Sequence, residues 1–118
     1  TLDYHLEKGS EKIQALFHSL RDDILALASE EGEIIETPNK LYISYRHGKN
    51  FCEVQIQSRS LKLHLDIADE LLHDPRGLTR DVSGVGHWGT GDVEVRIETD
   101  DDLSYVVELI KQSYQQTM

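Results

Sequence analysis

Tyr42, Arg46, Lys62, His64 and Arg96 fall at the polar positions of alternating polar–apolar stretches, so a pleated sheet would turn them to one side. Between Asp74 and Gly91 runs a segment with neither helical nor strand period. It contains five of the chain's eight glycines (Gly77, Gly84, Gly86, Gly89 and Gly91) and its single tryptophan, Trp88. Folded across the polar side, this segment would close a pocket with Trp88, His87 and Arg80. Trp88 would stack, Arg80 and Arg46 would pair with an anion, His87 and Tyr42 would hydrogen-bond, and Lys62 would add a cation. Aromatic surface with a few cations suits a small planar anion, a nucleobase or a modified nucleotide. The plainer expectation for the same side is a hydrated surface balanced by Glu53, Glu94 and Glu98, with His64 in solvent.

A second chemistry competes. Asp92, Glu94 and Arg96 alternate along one stretch and Asp81 lies nearby. Paired acids followed by a basic residue suit metal-dependent phosphodiester cleavage. Against it, alternating charges on a strand are usually its solvated side, and arginine does not shuttle protons as lysine can. Gly84 to Gly89 spells G-x-G-x-x-G, but a strand follows it instead of a helix, so the helix N-terminus that would face a pyrophosphate is missing. These glycines read instead as positions of tight packing or positive φ. The six histidines contain no close metal-binding pair, and Cys52, alone and among apolar neighbours, reads as a buried inert thiol. No cofactor, catalytic residue or metal is assigned.

The elements that must position these residues are legible. Ser10 is an N-cap for a helix with Ile13, Leu16, Phe17, Leu20, Ile24, Leu27 and Ala28 on one stripe, ended by Gly32. Residues 1–9 read as an arm. Strands follow over 33–37, 41–46, 52–57 and 61–67, with a turn at His47-Gly48-Lys49-Asn50, and a further strand over 92–98. Asp100 to Asp102 open a last helix with Leu103, Val106, Val107, Ile110 and Tyr114 on its stripe. The expected fold is α+β: an antiparallel sheet of four or five strands with the N- and C-terminal helices on one face, in the order α-β-β-β-β-(long loop)-β-α. The loop, at about eighteen residues and with apolar members, is expected to be ordered.

A chain of 118 residues with 38% hydrophobic and 29% charged residues fits one globular domain rather than a disordered segment. The net charge of −10 repels phosphate backbones and disfavours bulk nucleic-acid binding. A single cysteine and no long apolar run lead to the expectation of a cytoplasmic domain with no membrane partner. The start at Thr1 leaves open a piece of a longer protein or a trimmed terminus.

Several runs together carry a resemblance: Leu2-Asp3-Tyr4-His5-Leu6, Lys40 to Tyr45, Asn50-Phe51, Asp74-Pro75-Arg76-Gly77-Leu78, Asp81 to Gly89, Gly91-Asp92, and Ile110 to Tyr114. Over nearly its whole length the chain resembles a prokaryotic family of unknown function, number 5655, loosely labelled "predicted transport protein". The resemblance implies a C-terminal accessory domain of larger proteins, some with restriction-type or other defence modules, and implies no catalytic residues. The expected function is non-catalytic recognition through the loop and polar face of a ligand or a neighbouring domain. A metal-dependent nuclease using Asp81, Asp92 and Glu94, and a structural or oligomerisation module, are the alternatives.

Overall fold

The computed structural model describes residues 1–86 and 91–118. His87 and Trp88, both named above, lie outside the described residues. The elements in order are α1 (Leu2–Leu6), α2 (Glu11–Leu25), β1 (Ile35–Pro38), β2 (Ile43–His47), β3 (Lys49–Ile56), β4 (Leu61–Leu65), β5 (Arg80–Asp81), β6 (Val93–Ile97) and α3 (Leu103–Gln115). Single 3₁₀ turns lie at Asp69–Leu71 and Asp100–Asp102.

The strands form one antiparallel sheet in the order β1-β2-β3-β4-β6-β5, with helices on one side, as the alternation predicts. Among the described residues it has six strands, not four or five. The sixth is the two-residue β5 inside the long loop, too short to carry a period of its own. The arm expected over 1–9 contains the short helix α1, whose His5 is buried with Nε2 2.6 Å from the Asn39 carbonyl. Ser10 caps α2 as expected, its hydroxyl accepting from Ile13 N–H. The helix nevertheless stops at Ala26, well short of Gly32. Leu27 and Ala28 continue the apolar stripe and pack on the core, but in turns rather than in helix.

The helix-facing side of the sheet is a dry core. Register places Ile43, Val54, Leu63 and Val95 in one row, Tyr45, Cys52, Leu65 and Val93 in the next, and all eight are buried. Against them α2 buries Ile13, Leu16, Phe17, Leu20 and Ile24, and α3 buries Val106, Leu109, Ile110, Ser113 and Tyr114. The β2–β3 register shifts at Tyr45/Arg46, an irregularity at which Phe51 is fully buried, its ring edge-on to Tyr114. The Tyr45 hydroxyl escapes isolation by donating to Glu36, which also takes a two-pronged Arg21 guanidinium at 2.7 and 3.0 Å. Burial, with the Glu36 charge beside it, raises that phenol's pKa far above its ordinary value. Among the described residues no helix is long and apolar enough to cross a membrane.

Candidate functional site

The other side of the sheet departs from expectation. Register draws Ser44, Glu53, His64, Glu94 and Arg80 into one row across β2, β3, β4, β6 and β5. The middle of this row is buried: Glu53 is 0% exposed, His64 1% and Glu94 8%. The expectation of His64 in solvent is therefore corrected.

The physical reason is the return of the long loop. Gly91 lies flat on β4, donating its N–H to Glu53 Oε1 at 3.0 Å. Asp92 N–H donates to the Leu65 carbonyl. A Cβ on Gly91 would stand 2.8 Å from His64 Cβ and 2.9 Å from the backbone of His64 and Leu65. Only glycine permits that approach. Alternation carries a polar residue to this side; it does not reveal that another piece of chain returns to cover it.

The loop's first half is tied to α3. The Asp74 carboxylate accepts from the Tyr105 hydroxyl, from Thr79 Oγ1 at 2.7 Å and from the Thr79 and Leu78 amides. Burial pushes this carboxyl up, but the four donors outweigh it and hold its pKa below the ordinary value. Gly77 turns the chain with φ +64, Arg76 pairs with Asp102 at 2.8 Å and lies over the Tyr105 ring, and Gln112 brackets the His73 backbone. The loop is thus ordered through this half. Further on, Val82 is buried, and its N–H donates to the Asp92 carbonyl.

The residues expected to bind separate into groups. Lys62 and Arg80 meet at Glu94: Lys62 Nζ is 3.4 Å from Oε1, Arg80 Nη1 is 3.5 Å from Oε2, and His64 Nε2 is 3.8 Å from Oε1. Arg96 stands directly opposite Lys62 and donates to Gln57 Oε1. Tyr42 is half-buried just before β2, where alternation continues the row of Gln55, Lys62 and Arg96. Arg46 is elsewhere, on the rim of an open cleft of about 530 Å³ shared with Lys49, Asn50, Asp66 and Asp92.

The acids of the nuclease reading do not assemble. Asp81 stands opposite Val93 while Arg80 stands opposite Glu94, so Asp81 and Glu94 leave the sheet on opposite sides. The Asp81 carboxylate accepts from Ser83 Oγ and N–H, which depress its pKa. Among the described residues no group of three metal-ligating side chains is present. Cys52 is fully buried, and burial raises its thiol pKa well above the ordinary value. What sequence reading missed is the covering of Glu53 and His64; among the described loop glycines it is Gly91 that lets backbone lie against them.

A model of the family described as Domain of unknown function (DUF5655) matches residues 2–117. The chain is 36% identical over 109 residues to a protein of Haemophilus influenzae (strain ATCC 51907 / DSM 11121 / KW20 / Rd) named "Uncharacterized protein". That match covers 92% of this chain and 35% of the relative, so the chain spans about a third of the relative's length. No solved structure matches.

Proposed function

The chain belongs to the family described as Domain of unknown function (DUF5655), and on that premise we propose that it is a non-catalytic recognition module whose binding surface is the polar side of the sheet with the loop returning over it. The observation that carries this reading is the pinning of the loop at both ends, by Asp74 to Tyr105 on α3 and by Gly91 to Glu53 on β3. Such ties fix both described ends of the segment on a rigid scaffold, which is how loops serve binding. Burial also weighs against acid–base catalysis. His64 has a carboxylate within 4 Å, but at 1% exposure it is shut off from any substrate.

The ligand class that suits the exposed groups is a small planar anion of nucleotide type. Tyr42 offers an aromatic ring, and Lys62 and Arg96 lie about 10 and 14 Å along the same row at roughly 4.8 Å per strand. His87 and Trp88, expected from the sequence to bind, lie outside the described residues. Trp88 is the chain's single tryptophan, so its fluorescence reports on binding. Titration with nucleoside monophosphates is expected to change that fluorescence saturably, and Tyr42→Ala to weaken the effect. A flat response across the panel sinks the nucleotide reading. Incubation with magnesium or manganese and DNA or RNA is expected to leave the nucleic acid intact; cleavage abolished by Asp92→Ala would overturn the non-catalytic reading.

A second reading is favoured by the length of the relative, of which about two-thirds lies outside the match. On that reading the same surface docks a neighbouring part of a longer polypeptide. Binding of the relative's remaining segment in trans to this chain, with competition by nucleotides, separates the two.

A further inference from the structure

We propose that Lys62, Arg80 and Arg96 form an oxyanion site at the β4–β6–β5 end of the polar side, built to take the phosphate group of a small ligand. It deepens the reading above by naming the subsite, and rests on that reading only for the rest of the ligand. The chain carries a net charge of −10, yet three cationic side chains gather on neighbouring strands at this corner. Two cationic side chains, Lys62 and Arg80, meet one carboxylate, Glu94, at 3.4 and 3.5 Å, and Arg96 stands in register opposite Lys62.

Glu53, on the strand next to β4, accepts the Gly91 N–H, and the exposed Glu98, at the next polar position after Arg96, makes no ion pair with Arg96 within 4 Å among the described residues. Among the described residues Arg96 donates to the neutral Gln57 amide oxygen, at 3.1 Å. It stands in register opposite Lys62. Like charges directly opposite one another on adjacent strands repel, so this arrangement carries a cost that a bound anion would remove.

The space is suitable. An open cleft of about 290 Å³ is lined by Leu78, Arg80, Glu94, Val95 and Arg96. With liquid water occupying roughly 30 Å³ per molecule, a phosphate fits with several waters. Arg80 keeps 65% of its side chain exposed despite its contact with Glu94, leaving the rest of its fork available. Guanidinium forks match phosphate oxygens in pairs, and a phosphate monoester carries roughly −1.5 to −2 charges for Arg80 and Arg96 to meet. The net negative field of the whole chain would disfavour long polyanions at the same corner.

The test uses the 118-residue chain and three probes: inorganic phosphate, pyrophosphate and a nucleoside monophosphate. Arginine side-chain Nε–H resonances are followed by NMR through each titration. Saturable shifts at Arg80 and Arg96 that weaken with added salt are expected. Arg96→Gln, at an exposed position where folding is not at stake, is expected to reduce affinity about tenfold, the scale of one lost hydrogen bond to a charged group. Arg80→Gln is expected to do the same. The site is overturned if no probe shifts these resonances, if Arg46 or Arg59 shifts in their place, or if both variants bind as tightly as the parent. Phosphate binding without any gain from the nucleoside supports the oxyanion site while removing the planar-ligand reading. Nucleotide binding untouched by both variants does the reverse.

Discussion

The two sides of the sheet share one period and end in different physics. On the helix side, every second residue is apolar and meets another apolar residue from α2 or α3, so burial follows from transfer out of water alone. On the other side, the same alternation delivers Glu53, His64 and Glu94, which are buried nearly as completely. Burying charge is costly unless it is paired and hydrogen-bonded. The second side meets this demand with Arg80 in register opposite Glu94, with Lys62 at 3.4 Å from the same carboxylate, and with a backbone amide from Gly91 to Glu53. Periodicity therefore tells which way a side chain leaves a strand, and says nothing about whether that direction is wet.

The comparison is sharpened by substitutions graded by expected effect. Leu63→Ala on the helix side should cost about 2–5 kcal/mol, from lost transfer energy and the cavity left behind. Gly91→Ala should cost about 1–3 kcal/mol, because the new methyl meets the backbone of His64 and Leu65, which cannot swing away. Urea unfolding measures both. If Gly91→Ala proves neutral, the polar side is not a second packed layer and the comparison breaks.

Next in size comes the Asp74 clamp, where Asp74→Ala should destabilise by about 1–2 kcal/mol through lost charge-assisted hydrogen bonds. Its readout is local: faster amide exchange at Leu78 and Thr79 than in the helices. Smallest is the pH response. Burial lowers the pKa of His5 below its ordinary 6.5, against the raising effect of its bond to the Asn39 carbonyl. The unfolded chain then binds the proton more readily than the folded one. The contribution of His5 is complete above pH 6.5 and declines as pH falls toward its folded value. Asp74 acts in the same sense further down, its contribution lost as pH falls below the ordinary carboxylate value of 3.8 and through its depressed folded value. A stability profile that is flat from pH 7 to 5 in the parent and unchanged in a His5→Gln variant would contradict the first of these.

The fold was largely written in the sequence because its signals are local. Ser10 caps its helix, the apolar stripes of α2 and α3 recur at helical spacing, and the main strands alternate cleanly, so helix and strand order could be read residue by residue. What could not be read is what local signals do not encode. The strand β5 has two residues, and its pairing with β6 depends on where Asp74 and Gly77 send the chain. The covering of Glu53 and His64 by Gly91 joins positions 38 residues apart in the first case. For the candidate site, the residue types were legible and their grouping only partly so. Lys62 and Arg80 do meet, but at Glu94, whereas Arg46 is carried to a different cleft by the hairpin at Gly48.

Both margins of the sheet are poor templates for another strand. On one side stands β1, four residues long and ending in Pro38, which has no amide proton to offer; on the other stands β5, only two residues long. An incoming extended segment would find few consecutive donors and acceptors to zip onto. The fold should thus stay well behaved at high concentration, with self-association in the manner of amyloid resisted by the shortness of its own borders.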